Sequence, residues 1–260
     1  MTILKLDNMG ITFGGLRAVS GVDMTIEKGE LVGLIGPNGA GKTTAFNLIT
    51  GVYQPTDGSV TFAGQDTKGM ATYQVTQLGM ARTFQNIRLF SELTVLDNVK
   101  IAYTYHVKCS LLESVLRIGR YFSEEREIEE KAMELLKIFG LDSKAYELAK
   151  NLPYGEQRRL EIARALATKP KFLLLDEPAA GMNPHETKEL MNLIRWIRKE
   201  FDLTILLIEH DMGLVMGVCE KIYVLEYGCL IAEGTAEEIK NNPRVIEAYL
   251  GEEIEEVRNA

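Results

Sequence analysis

The order of apolar segments predicts an α/β fold: a buried, largely parallel sheet, an antiparallel β section ahead of it and an inserted α-helical subdomain. Three observations carry this. A short apolar run, Leu31 to Ile35, leads into a glycine-rich turn (GPNGAGKTT) and then a helical stretch. After Asn151, apolar strands alternate with helical patterns, the arrangement that parallel strands covered on both faces require. Between about Thr94 and Ala149 there is no convincing strand, and apolar residues recur at helical spacing.

Each element has its own signal. Residues 2 to 27 read as β segments, with Ile3, Leu4 and Leu6 and later Val22, Met24 and Ile26 in alternation, broken by Gly14-Gly15 and ended by Lys28-Gly29. Leu31 to Ile35 is a buried strand, and the helix Thr43 to Thr50 stops at Gly51. Asp57-Gly58 signals a turn, after which Ser59 to Ala63 resumes β alternation. In the helical section, Ile128, Ala132, Leu135, Leu136 and Phe139 share a face, with Ser123 as the expected N-cap and Gly140 as the stop.

The α/β pattern then returns as helix Glu156 to Ala167, strand Phe172 to Leu175, helix His185 to Glu200 and strand Leu203 to Ile208. Asn183 caps the second helix, and Pro184 takes its first position. Lys221 to Glu226 and Cys229 to Glu233, joined at Tyr227-Gly228, predict a closing hairpin, and Thr235 to Leu250 one or two terminal helices. These readings divide the chain into a core with its antiparallel sheet (residues 1–84 and 151–234), a helical subdomain (85–150) and a helical tail (235–260). No internal repeat interrupts them.

Composition narrows the class without naming a function. The 260 residues carry 29 basic and 37 acidic side chains, a net charge of -8, which leaves no global electrostatic footprint for nucleic acid or an anionic membrane. Mean hydropathy of -0.04 fits an ordinary globular chain. No apolar run approaches the roughly 18 residues of a membrane span, and the amino terminus does not resemble a secretory signal, so cytoplasmic residence is the expectation. Cys109, Cys219 and Cys229 are widely spaced and lack histidine clusters, so they read as core thiols.

The chemistry begins at Gly36, Gly41, Lys42 and Thr43, which complete G-x-x-x-x-G-K-[ST] between a strand and a helix. The loop from Gly36 through Pro37, Asn38, Gly39, Ala40 and Gly41 to Lys42, Thr43 and Thr44 can turn its backbone N–H groups and a helix N-terminus toward a phosphate chain. Lys42 would reach the β and γ phosphates, and the Thr43 hydroxyl would ligate Mg²⁺. Phosphoryl transfer also needs an anion for the metal and a base for water. Asp176 and Glu177, ending the apolar run Phe172 to Leu175, supply both, Asp176 holding Mg²⁺ through water and Glu177 serving as general base.

Phosphate loop and LLLDEP together resemble the ATP-binding subunits of ABC transporters, and four further features match that family in order and spacing. Gln85 (RTFQN) resembles the glutamine that links the metal to the helical subdomain. The segment Leu152 to Gln157, with Pro153, Tyr154, Gly155 and Glu156, resembles the signature motif that contacts the ATP of a partner chain. Ala180 to Asn183 resembles the D-loop, and His210 (IEHD) the switch histidine. Phe13 sits where the family stacks an aromatic ring on adenine; core packing is the alternative. Likewise His210, taken alone, reads as a structural histidine, and His106 and His185 as surface residues.

Two departures matter. Pro153 and Tyr154 replace the usual Ser and first Gly of the signature, removing a hydroxyl donor but leaving the Gly155 amide. Asn183 replaces the D-loop Asp, keeping hydrogen bonds and losing a charge. The signature string, EPAAGMNP and the tail EGTAEEIKNNPRVIEAYLG look most like the subunits of branched-chain amino acid importers. The resemblance implies a P-loop NTPase fold with ATP and Mg²⁺, and a head-to-tail dimer, here with a distinct second ATP-binding subunit. It also implies a membrane permease fed by an external binding protein, hence a peripheral position on the inner face of the membrane, and no nucleic-acid partner.

Rival readings are an ABC protein of translation or DNA repair, and an ABC subunit for urea or lipid export. The stretch His106 to Phe122 carries Val107, Leu111, Leu112, Val115 and Leu116 at helical spacing, with Lys108, Arg117 and Arg120 among its polar positions. It reads as an internal helix or loop of the helical subdomain, with permease contact or a membrane surface as alternatives.

Overall fold

A computed structural model of the chain describes residues 1–104, 120–210 and 212–249. It divides into two compact units, Met1–Arg82 with the chain from Lys171 onward, and Thr83–Pro170.

The first unit holds two sheets. β1 (Thr2–Phe13) and β2 (Leu16–Glu27) form the expected antiparallel hairpin, and β4 (Asp57–Phe62) and β5 (Gln65–Asp66) extend it in the order β2-β1-β4-β5. Asp57-Gly58 is not a turn but the irregular start of β4. A Cβ on Gly58, at φ 71°, would lie 2.2 Å from the carbonyl oxygens of Asp7 and Asn8, so the glycine marks a close backbone crossing within the strand.

The second sheet is β3 (Leu31–Ile35), β6 (Met80–Arg82), β7 (Phe172–Asp176), β8 (Thr204–Ile208), β9 (Lys221–Glu226) and β10 (Cys229–Gly234), in the order β10-β9-β3-β8-β7-β6. From β6 to β9 the pairs are parallel; β10 returns antiparallel, as the hairpin signal required. Every residue of β3, β7 and β8 is buried, which is why 31–35, 172–175 and 205–208 are continuous apolar runs without alternation. β6 escaped the sequence because three residues are too few to show a period.

Around this sheet stand α1 (Lys42–Ile49), α2 (Thr72–Gln77), and the later helices Pro184–Glu200 and Met212–Val218. The short helix Met212–Val218 was also unforeseen, since Gly213 and Gly217 weaken its helical signal. One apolar cluster joins both sheets to α1 through Leu4, Leu6, Leu34, Phe46, Phe172 and Leu206. Phe62 meets Phe172 edge-on at 5.7 Å, and the Tyr223 hydroxyl donates to the Thr25 carbonyl at 2.8 Å, stitching one sheet to the other.

In the second unit, α3 (Val95–Tyr103) is capped by Thr94, whose side chain accepts from the Asp97 amide. α4 (Tyr121–Ile138) buries Ala132, Leu135 and Leu136 and ends at Gly140, φ 66°. Ser123 is not its N-cap: the helix starts earlier, at Tyr121, and the Ser123 hydroxyl donates back to the Arg120 carbonyl at 2.8 Å. α5 (Tyr154–Ala167) completes the unit. The sequence reading returned to the core at 151, whereas the unit runs to Pro170, because α5 packs on α3 and α4. Most of the stretch 106–122 lies outside the described residues.

The later helices of the first unit are α6 (Pro184–Glu200) and α7 (Met212–Val218), followed by α8 (Ala236–Lys240), capped by Thr235, and a helical stretch at 243–249. Among the described residues no helix is long and apolar enough to cross a membrane.

The three cysteines do not share one environment. Cys219 is buried, and burial pushes its thiol up to about 12; Cys229 opens β10 and is exposed, contrary to its reading as a core thiol, and Cys109 lies outside the described residues. Alkylation of the native protein at about pH 8 should therefore label Cys229 and spare Cys219 until the chain is denatured, read by peptide mass spectrometry. Native-state labelling of Cys219 at the denatured rate would contradict this packing.

Candidate functional site

Because β3, β8 and β7 are adjacent and parallel, the residues after each strand emerge on the same edge of the sheet. Leu34 pairs with Ile208, and Ile208 with Asp176, so the phosphate loop, the acid pair and His210 start from one row of the ladder.

The loop leaves β3 at Gly36, φ 149°, where a Cβ would lie 2.1 Å from the Leu225 carbonyl oxygen; only glycine lets the chain pass β9 there. Lys42 is buried, and its Nζ donates to the carbonyls of Gly36 (2.6 Å) and Pro37 (2.8 Å), drawing the loop around itself. α1 starts after Gly41 with no side-chain cap and no acid in its first turn, whereas α3, α6 and α8 are capped by Thr94, Asn183 and Thr235. The first amides of an α-helix have no acceptor one turn back, so this end of α1 is suited to an anion. Asn38, Gly39 and Thr43 are exposed along the loop, Ala40 is buried, and Pro37, Gly41 and Thr44 are half-buried.

Asp176, the last residue of β7, is buried and ion-paired with Arg82 of β6, Nη2 to Oδ2 at 2.7 Å. Arg82 also donates through Nη1 to Asn47 Oδ1 of α1 at 2.7 Å and lies over the Phe46 ring, so one guanidinium ties the acid to the helix that carries the phosphate loop. Among the described residues no three His, Cys, Asp or Glu side chains group as a metal cage. A hydroxyl such as that of Thr43 and a carboxylate such as that of Asp176 are oxygen donors of the kind Mg²⁺ uses, since it takes one or two protein ligands and completes its shell with phosphate oxygens and water.

Glu177 adopts φ 47°, rare for a residue with a side chain, and its amide donates to the Ile208 carbonyl at 2.9 Å. Its Oε1 lies 2.6 Å from His210 Nε2, so the two residues expected to act in hydrolysis touch directly. A carboxylate next to an imidazole at the mouth of a phosphate loop can accept a proton from water and be held in position while it does so.

Phe13 ends β1 partly exposed, packed edge-on against Tyr53 at 5.2 Å, an aromatic partner the sequence reading missed. Asn183 does what its capping role required: its Oδ1 accepts from the amides of His185 and Glu186 at 3.0 Å, and Glu186 returns to the Asn183 amide. His185 is exposed, as expected, and His106 lies outside the described residues.

Gln85 and the signature segment lie in the helical unit. There α5 opens at Tyr154 after Pro153, which provides no side-chain cap, and Glu156 in its first turn is paired with Lys144. The sequence reading overlooked what stands behind them. Arg158, fully buried, donates to the carbonyls of Phe84 (2.6 Å) and Gln85 (2.8 Å), and to Glu161 at 2.8 Å. Glu161 accepts from the amides of Phe84 and Arg88, so an ion pair one turn into α5 grips the backbone around Gln85 from both sides. Arg82, Arg158 and Glu161 were legible only as charges inside otherwise apolar or helical runs.

Phosphate loop, acid pair and histidine on one edge of a parallel sheet, with a helical unit inserted in the chain, define a P-loop nucleoside triphosphatase. The family model of the ABC transporter matches residues 19–180, and that of the branched-chain amino acid ATP-binding cassette transporter matches 229–259. The chain is 48% identical over 250 residues to the high-affinity branched-chain amino acid transport ATP-binding protein LivG of Escherichia coli, covering 96% of this chain and 98% of that one. It is 46% identical, with the same coverage, to BraF of Pseudomonas aeruginosa. Among solved structures it resembles an ATP-binding cassette of an ABC transporter in its ADP conformation, with a TM-score of 0.84 at 32% identity, covering 96% of this chain and 99% of that one. The chain belongs to the ABC transporter family of ATP-binding cassettes, in the group of branched-chain amino acid transport ATP-binding proteins, and as such a cassette it is an ATPase.

Removing one member of a buried ion pair leaves the other charge desolvated. Arg158→Ala should destabilise the chain by ~3–5 kcal/mol in urea unfolding, whereas Lys150→Ala, whose partner Glu92 is exposed, should change little. Equal effects of the two substitutions would show that the Arg158 network carries no special weight.

Proposed function

We propose that this chain is the ATP-hydrolysing subunit of an importer that takes up branched-chain or other hydrophobic amino acids through separate membrane permease subunits. The contact between Glu177 and His210 carries the enzymatic half of the reading. Support for the cargo comes from the tail, 229–259, and from relatives that align over nearly the whole chain. The lipopolysaccharide export ATP-binding protein LptB of Haemophilus influenzae is a more distant match, 35% identical, which favours amino acids over lipid export.

The residues divide the work. The loop from Gly36 to Thr44 and the start of α1 would hold the phosphate chain, Lys42 would shift from its two loop carbonyls toward the phosphates, and Phe13 would stack on the base. Thr43 and Asp176 would hold Mg²⁺, which supplies charge neutralisation when bound, and Gln85, by its match to the family's glutamine, would relay that state to the permease. Glu177 then takes the proton of the attacking water. His210 orients Glu177 through the 2.6 Å contact and, with Lys42, stabilises charge developing on the phosphate.

The cassette would work in a head-to-tail pair with a second, distinct ATP-binding subunit. The signature segment, Pro153 to Glu156, would meet the partner's nucleotide through the Gly155 amide at the start of α5, and Asn183 would lie in the D-loop. Docking on the permease places the chain peripherally on the inner face of the membrane, and an external binding protein delivers the cargo.

Replacing the general base should separate binding from chemistry. Glu177→Gln should lower ATP turnover by ~10²-fold or more while nucleotide still binds, so that a two-chain species accumulates with Mg-ATP in gel filtration. Hydrolysis at the unmodified rate would end this reading of Glu177. In vesicles with the matching permease subunits, labelled leucine should enter only with ATP, and uptake of urea instead would redirect the cargo.

A further inference from the structure

The backbone ladder between β7 and β8 ends where the chemistry starts. Asp176 opposite Ile208 is the last paired step, and the Glu177 amide reaches the Ile208 carbonyl once more before the two chains part. Beyond that point the Glu209 side chain ties the backbone of the segment carrying Glu177 to that of the segment carrying His210. Glu209 is buried at 3% exposure, and its carboxylate spans the gap: Oε1 accepts from the Ala179 amide at 2.7 Å and Oε2 from the His210 amide at 3.0 Å.

We propose that Glu209 is a positioning residue for hydrolysis: its carboxylate staples the strand end that bears His210 to the turn that follows Glu177, and so sets the distance between them. The proposal rests on the reading of Glu177 and His210 as the residues that activate water.

Three physical points support it. A buried carboxylate is costly unless hydrogen bonds satisfy it, and here the two oxygens each receive an amide from a different segment. Because the carboxylate is planar and rigid, binding both amides fixes their separation more tightly than two independent contacts would. Glu177 also holds an uncommon left-handed conformation, which persists only where its surroundings over-determine it, and the staple lies two residues away.

The same anchor reaches the D-loop. The Ala180 amide bonds back to Glu177 and the Met182 amide to Ala179, so the turn leading to Asn183 is built on the residue that Glu209 holds. A shift of the His210 segment would therefore pull on the D-loop backbone directly. Glutamine cannot replace this carboxylate, because it has one acceptor oxygen for two amides, and its NH₂ would face an N–H.

The test compares Glu209→Gln with Glu177→Gln and His210→Ala in the full chain, reading ATP affinity and turnover separately. Turnover by Glu209→Gln should fall by ~10-fold or more, the scale of a lost charge-assisted hydrogen bond, with nucleotide affinity within about twofold of the unmodified chain. In the His210→Ala background, Glu209→Gln should add little further loss, since it acts through that histidine.

Unchanged turnover in Glu209→Gln, a parallel loss of nucleotide affinity, or full additivity with His210→Ala would overturn the proposal while leaving Glu177 in its role. Normal turnover by Glu177→Gln would instead remove the reading on which it rests. If Glu209→Gln does not fold, Glu209→Asp, which keeps the charge but is too short to span both amides, is held to the same outcomes.

Discussion

Parallel neighbouring strands cannot be joined by a tight turn, and the rest of this structure depends on that constraint. Each of β3, β7 and β8 must send its chain away at the same edge and return it through a crossover. The residues immediately after these strands are therefore neighbours in space, however far apart in sequence. Gly36 to Thr44, Asp176 with Glu177, and His210 meet because the sheet leaves them no other place to emerge. The strands are buried on both faces, so their ends move little, and a site set on them inherits that rigidity.

Buried charges hold loops that no backbone ladder could reach. Arg82 ties Asp176 to α1, Glu209 spans the segments after β7 and β8, and in the helical unit Arg158 with Glu161 grips the backbone at Phe84, Gln85 and Arg88. Such groups are expensive to desolvate, and well-packed apolar residues would give comparable stability. They contribute direction instead. A guanidinium or carboxylate fixes several partners at defined distances, as a site needs if a proton is to leave water toward one particular oxygen.

Much of the fold was legible because its signals are local. The fully apolar runs of β3, β7 and β8, the Asn183-Pro184 cap and the Tyr227-Gly228 hairpin each depend on a few neighbouring residues, and each stands within a residue or two of its expected position. β6 and the helix Met212–Val218 were not legible, being too short or too glycine-rich to show a period. Ser123 was misread because a serine in the first turn of a helix can bond back to a carbonyl as readily as cap it. The irregular backbone at Gly58 was read as a turn because glycine serves both uses, and the neighbouring strand that chooses between them is distant in sequence.

The sequence by itself determined the chemistry on offer: a phosphate loop, two acids after an apolar strand, a histidine after the next, and the family to which their order belongs. The tertiary structure alone decided which side chains hold them. Arg82 lies 94 residues from Asp176 and Ala179 lies 30 from Glu209, and nothing local in either stretch announces the pairing. A motif records what a residue can do, because reactivity belongs to the side chain. Which amide or carbonyl holds it still depends on strand order and register, which form only when the whole sheet assembles.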